Sequence, residues 1–214
     1  IAESRIEPLA ELLAWVPADV PVYTAPQNVM DKVTGFPMHR GVLACGLKGE
    51  IPDPAAFLES GASAASTLLL LSDLSNHDNV GACFRNAAAF GASAVLMDAQ
   101  CCDPLYRKAI RVSSGSTLWL PYAQGGTGLD MVNAAKAAGY EVWAMTPRAD
   151  AAPLSSLPVP ARLAILLGAE GPGLPDEVIA TCRAVRIPMS EGFDSVNVAT
   201  AGAIALSHVF TAAV

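Results

Sequence analysis

The sequence predicts an α/β fold with a mostly parallel sheet, and three observations carry that prediction. From residue 67 onward, apolar strand-like runs alternate with segments of helical periodicity. The runs TLLLLSDL, SAVLMD and ARLAILL are apolar almost throughout, as strands covered on both faces must be. Hydrophobic residues make up 52% of the 214 positions and charged residues only 15%, which is core enough for one large domain or two smaller ones and argues against disorder.

Residues 1–50 form a pattern of their own. A helix carries Ile6, Leu9, Leu12, Leu13 and Val16; strand PVYT follows, then a short helix around 29–33, then strand GVLACGL. So small a piece has little core and reads as the second half of a small α/β domain whose first half is missing, in keeping with an opening Ile1 rather than Met. Residues 51–66, rich in Pro, Gly, Ser and Ala, read as a linker. The domain at 67–214 then runs strand TLLLLSDL, a helix over 78–91, strand SAVLMD, helix PLYRKAIRV, strand STLWLPYA and helix GLDMVNAAKAAG, closed by Gly139. Strands EVWAMTP, ARLAILL and AVRIPM follow, and helix SVNVATAGAIALSHV ends the chain. Residues 196–214 are numerous enough to span a bilayer, but Asn197, Thr200, Ser207, His208 and Thr211 interrupt them, so they read as a core helix. With no signal peptide at its start, the chain is expected in the cytoplasm, away from membranes.

The formal net charge of −7 offers no global field to attract nucleic acid, so an RNA partner requires a local basic patch. Arg40, Lys48, Arg107, Lys108 and Arg111 are the candidates for one. The five cysteines are odd in number, lack a CxxC pair and have no zinc-like spacing with histidine, which favours reduced thiols. Cys101-Cys102 reads either as a redox or metal pair or as two small strand-end residues. None of the three histidines has a ligand partner at useful spacing, so no metal is expected; His39 and His208 read as structural and His77 as a minor substrate contact.

In a parallel sheet, ligands bind beyond the strand C-termini. Three polar or Gly-rich segments follow strands there: SNHDNVGACFRN, GAEGPGLP and SEGFDSVN. GAEGPG lacks the spacing of a dinucleotide fingerprint, which disfavours a nucleotide-dependent oxidoreductase, and AQGGTGLD lacks the Lys-Ser/Thr ending of a phosphate loop. Arg85 has only Gly81, Ala82, Ala88 and Ala89 as its helical neighbours, so it either waits for an anion or pairs with an acid from elsewhere. Ser195 and Asn197 open the last helix, where Ser is a favoured cap.

Taken together, these segments resemble the SpoU (TrmH-like) branch of the SPOUT methyltransferases. The first motif stands as Asn79, Gly81, Arg85, Ala87, Phe90 and Gly91; the second as Gly168, Glu170 and Gly171; the third as Ile187, Pro188, Met189, Ser195, Val196, Asn197 and Val198. Order and spacing agree over residues 67–214, and DPLYRKAIRVSSGS is similar to the family's middle segment. Residues 1–50, above all HRGVLACG, resemble the latter part of an L30e-like RNA substrate-binding domain.

The resemblance implies methyl transfer from S-adenosylmethionine to a ribose 2′-hydroxyl of tRNA or rRNA, a deep C-terminal trefoil knot, and a homodimer built on the first and last helices of the catalytic domain. It implies a cofactor pocket at Gly168, Ile187 and Val196, with Thr146, Glu170 and Met189 as neighbours. Arg85, Asn79, Ser195, Asn197 and Glu170 become the catalytic set. Arg85 is then a base or, since a guanidinium is a poor one, a phosphate anchor. Ser195 caps, contacts ribose, or does both, and Glu170 orders its loop or accepts a proton. A non-catalytic RNA or cofactor binder on the same fold is the competing reading.

Overall fold

The computed structural model describes residues 1–61 and 67–213. The chain divides into two compact units, 1–49 and 50–214.

In the first unit, α1 (Ala10–Leu13) and α2 (Gln27–Thr34) are the α-helices. Helix α2 ends on Gly35, whose φ of 77° is the left-handed turn that closes it. The expected strands PVYT and GVLACGL do not form; only the isolated bridge between Ala2 and Ala25 is sheet-like. A strand requires a partner edge to take its backbone groups, and the unit supplies none among the described residues. The helix expected across residues 6–16 shortens to α1, and Leu12 and Trp15 stay 64% and 86% exposed.

The second unit opens with α3 (Pro54–Glu59), inside the stretch read as linker. Asp53 caps it, accepting from the N–H groups of Ala55 and Ala56 at 2.9 Å, and Pro54 takes the first position, where no N–H is needed. Its Phe57 and Leu58 are buried against the sheet, so composition mistook a capped, core-packed turn of helix for a spacer. The rest of that stretch, residues 62–66, lies outside the described residues.

Strands β1 (Thr67–Leu71), β2 (Ala94–Met97), β3 (Tyr122–Gln124), β4 (Glu141–Met145), β5 (Ala152–Pro153), β6 (Leu163–Leu167) and β7 (Arg183–Arg186) form one sheet in the order β3-β2-β1-β6-β4-β7-β5. Every pairing is parallel. The central strands are buried on both sides, and alternate residues serve opposite faces. Leu69, Leu71, Ile165 and Leu167 join one core with α4 (His77–Ala89) and α8 (Val198–Ala213). Leu68, Leu70, Ala164 and Leu166 join the other with α3, α6 (Gly128–Ala137) and α7 (Asp176–Ala180).

Helix α5 (Arg107–Val112) packs on α4. The sequence GGTG ahead of α6 is a turn into a capping box, in which Thr127 and Asp130 satisfy each other's backbone N–H. The strand expected over STLWLPYA is reduced to β3. Ser116–Leu118 instead form a 3-10 turn, and the N–H groups of Trp119 and Leu120 donate back to Ser116 O at 3.2 and 2.9 Å, so they are spent locally. Strand β5 at the sheet edge was not anticipated.

Candidate active site

Four neighbouring strands, β1, β6, β4 and β7, deliver their C-terminal loops to one edge of the sheet. This is also where chain order reverses direction across the sheet, the usual place for a ligand crevice. Two cavities lie there. The larger, about 570 Å³, is walled by Met145–Arg148 after β4, Gly168–Leu174 after β6, Ile187 and Met189 after β7, and Ser195–Val198 leading into α8. Thr146, Gly168, Ile187, Met189, Val196, Glu170, Ser195 and Asn197, all singled out from sequence, therefore meet around one volume. The smaller, about 120 Å³, is lined by Asp73, Leu74, Ser75, Asn76 and Asn79 on the β1 side and shares Ala169, Glu170 and Pro172 with the larger.

The wall beyond β6 is built from close backbone contacts. A Cβ on Gly168 would meet Leu174 Cγ at 2.6 Å, Leu174 N at 2.7 Å and the Gly173 carbonyl carbon at 2.8 Å, so the motif demands glycine for space. Gly171 and Gly173 adopt φ of 86° and 71°, bending the loop back until Gly173 N–H donates to Ala169 O at 3.1 Å.

A chain of side-chain hydrogen bonds runs across the site. Asn197 Oδ1 accepts from the N–H groups of Ala199 and Thr200 at 2.9 and 3.2 Å, and so caps α8. Ser195, expected as a cap, is exposed and takes no part in capping; the helix begins two residues later than Ser195 would require. Asn197 Nδ2 donates to Asn79 Oδ1 at 2.9 Å, and Asn79 Nδ2 donates to the Glu170 carboxylate. Residues distant in sequence thus join the first, second and third motifs through one directed relay.

Arg85 does not line either cavity. At about 100° per residue, six positions along α4 turn it to a different face from Asn79. It is exposed and has no hydrogen-bond or ion-pair partner among the described residues. Asn86, seven positions from Asn79, returns to the Asn79 face and donates to Ala199 O at 2.8 Å. The i, i+7 spacing of the two asparagines was the available signal for it. Gly81 is explained by packing, since a Cβ there would lie 2.6 Å from Ala109 O of α5.

Asp98 was also missed. It sits at the end of β2, 3% exposed, and accepts from Ser72 Oγ at 2.6 Å and from the N–H groups of Asp73, Gln100 and Cys101 at 3.1 Å. A buried carboxylate with this many donors is a loop anchor. Cys101 Sγ donates to Leu71 O at 3.3 Å and accepts from Leu74 N–H at 3.4 Å, and burial pushes its thiol pKa up. Burial, with the Glu170 charge adding to it, pushes Cys83 up to about 12. Both thiols are therefore held protonated at neutral pH, which favours the reading of Cys101 as a small buried residue at the end of a strand. Among the described residues, no group of three or more His, Cys, Asp or Glu is placed to hold a metal ion, and no helix is long and apolar enough to cross a membrane.

Residues 66–207 match the model of the SpoU rRNA methylase family. The chain belongs to that family. An uncharacterized tRNA/rRNA methyltransferase of Mycobacterium tuberculosis is 41% identical over 207 residues, covering 95% of this chain and 70% of that one. The 23S rRNA (guanosine-2′-O-)-methyltransferase RlmB of Acinetobacter baylyi is 30% identical over 210 residues, covering 95% and 83%. Among solved structures, the AdoMet-bound rRNA methyltransferase of Sinorhizobium meliloti superposes with a TM-score of 0.79 at 23% identity, covering 97% of this chain and 77% of that one, so this SpoU chain shares its fold.

Proposed function

We propose that the chain transfers a methyl group from S-adenosylmethionine to a ribose 2′-hydroxyl of tRNA or rRNA. The observation that carries this reading is the larger cavity, where the second and third motifs converge at the sheet's C-terminal edge and Asn79 of the first is hydrogen-bonded to Glu170 and Asn197 of its lining. SpoU membership and relatives named as tRNA/rRNA methyltransferases make the chain an RNA methyltransferase. The cavity fits the cofactor. About 570 Å³ lies within the range of small-molecule sites, and its backbone-rich wall at Gly168 admits an adenine close to amide groups.

Thr146, Gly168, Ile187, Met189 and Val196 would hold the cofactor, which supplies an electrophilic methyl carbon when bound. The chain's own task is to align the 2′-oxygen and assist loss of its proton as the new O–C bond forms. Asn197 and Asn79 fix Glu170, which supports an ordering role for that carboxylate. Ser195, freed from capping and facing the cavity, is assigned to the ribose. Arg85, with no partner of its own, is assigned to a phosphate beside the target ribose and to negative charge developing on the 2′-oxygen. Because it faces away from Asn79, its use in the reaction favours a homodimer that brings a second copy's substrate past α4. Residues 1–49 are assigned to RNA binding as a partial L30e-like domain, the C-terminal segment to a trefoil knot, and the protein to the cytoplasm.

The test is methyl transfer from labelled cofactor to unmodified tRNA and rRNA, read by nucleoside mass spectrometry. A 2′-O-methylnucleoside lost in Arg85→Ala with cofactor affinity unchanged is the expected result. Turnover retained in Arg85→Lys would refute the bidentate phosphate grip.

A further inference from the structure

Most cations of the second unit already have partners. Lys108 pairs with Asp78 at 2.7 Å, Arg148 with Asp150 and Asp176, and Arg183 with Glu141. Lys136 and Arg186 donate to the carbonyls of Thr181 and Ala151, and Arg162 lies over the Tyr140 ring. Besides Arg85, assigned above, Arg107 and Arg111 are left in that unit without a hydrogen-bond or ion-pair partner among the described residues. Both are exposed and stand about one turn apart on α5. Each lies about 200° round that helix from Ala109, which is buried against Gly81 of α4, so the two guanidinia face outward together.

Tyr106 precedes them, 46% exposed, with its ring centroid 4.4 Å from that of His77. A turn at Asp103 sets it in place: Leu105 N–H donates to Asp103 Oδ1 at 2.8 Å, and Tyr106 N–H donates to Asp103 O at 3.2 Å. The same segment is tied to the loop after β1, since Cys102 N–H donates to Leu74 O at 2.9 Å. Leu74 lines the smaller cavity, as does Asn76, the chain neighbour of His77. Tyr106 therefore stands beside that cavity, with Arg107 and Arg111 leading away from it. An exposed ring next to unneutralised guanidinia is the combination that holds single-stranded nucleic acid, because every base has a face to stack and every nucleotide a phosphate. Asp73 and Glu170 make the smaller cavity itself acidic, which directs phosphates along α5 and not into it.

We propose that Tyr106 stacks an unpaired base of the RNA next to the target nucleotide, and that Arg107 and Arg111 hold the phosphates flanking that base. The proposal rests on the ribose-methylation reading above. A duplex keeps its bases stacked on one another, so this platform selects RNA that is unpaired beside the methylated ribose. Lys108, held by Asp78, is not part of the track.

Binding is measured on the cofactor-saturated protein by fluorescence anisotropy, with labelled oligouridylate and with its duplex on oligoadenylate. The wild type should prefer the single strand. Arg107→Gln combined with Arg111→Gln should lower the slope of log affinity against log salt by about 1.4, two phosphates at roughly 0.7 each. Tyr106→Ala should weaken binding roughly five- to 150-fold with that slope unchanged, and Tyr106→Phe should restore it. A 2-aminopurine placed in the oligouridylate separates stacking from a structural role. At saturating protein its fluorescence should be quenched by the wild type and by Tyr106→Phe, and not by Tyr106→Ala. Melting temperature and affinity for S-adenosylmethionine should be the same in all variants. Equal affinity for strand and duplex, an unchanged salt slope in the double variant, or wild-type binding by Tyr106→Ala overturns the proposal. Failure of the reaction reading shows separately, as strand binding by the wild type with no methyl transfer to any RNA.

Discussion

The loops after β1 and β6 border the same small cavity, yet opposite devices hold them. The β1 loop hangs on one buried carboxylate, Asp98, which collects donors from Ser72, Asp73, Gln100 and Cys101. The β6 loop is held by closeness, with Gly168 leaving no space for a methyl group against Leu174. A loop held by an acceptor fails when an atom is taken away, and a loop held by contact fails when one is added. The first arrangement leaves side chains free to vary around a fixed backbone, as suits a surface that meets RNA. The second leaves the backbone itself as the lining, as suits a cofactor pocket.

The largest expected effect breaks the first device. Asp98→Ala leaves the buried Ser72 hydroxyl and Cys101 N–H without this acceptor, along with the part-buried N–H groups of Asp73 and Gln100, and should cost about 3–5 kcal/mol in denaturant unfolding. Its affinity for S-adenosylmethionine, measured calorimetrically, should stay within about twofold by the same separation of the two loops, since roughly 0.4 kcal/mol is all that such a change represents. A large loss of cofactor binding would show that the loops are not independent. Gly168→Ala attacks the second device. It should cost about 1–3 kcal/mol through overpacking and lower cofactor affinity roughly tenfold or more, the reverse of the Asp98→Ala pattern.

Asn197→Ala sharpens the comparison, because Asn197 caps α8 and also holds Asn79 across the seam between the loops. It should cost about 1–2 kcal/mol, at the upper end for a lost cap, and should reduce turnover more than cofactor affinity. The last effect is spread over a range of pH and lies in the core beneath α4. Cys83 keeps its proton in the folded state up to about pH 12, while an unfolded thiol ionises near 9.0. Stability from this group is therefore complete below pH 9.0 and declines as pH rises toward 12, by at most about 1.4 kcal/mol per pH unit. Unfolding curves from pH 8 to about 10.5 should show that decline, and Cys83→Ala should reduce its slope.

The strands were legible where apolar runs were long. TLLLL and LAILL carry enough hydrophobic residues that no amphipathic helix accounts for them, and both form central strands. The motif residues around the larger cavity were legible too, because each sits in a polar or glycine-rich loop directly after a strand. Short or locally paired segments misled. STLWLPYA has strand-like residues but spends its amide groups on a 3-10 turn, and PVYT and GVLACGL find no partner edge in their unit. Residues 54–59 looked like spacer because alanine and proline are as common in a capped helix as in a linker.

By itself the sequence determined the parallel α/β plan and the set of loops that form the larger cavity, and its motifs carried the resemblance to the family. These follow from local composition and spacing, which folding preserves. The tertiary structure alone decided how the side chains divide their work. It left Ser195 facing a cavity shared with Met145 and Gly168, set Asn79 against Glu170 and Asn197, and brought Asn86 to Ala199 O. It also buried Asp98 beneath Asp73. Each of these depends on distances between residues far apart in the chain, fixed only when the strands pair and the helices close over them.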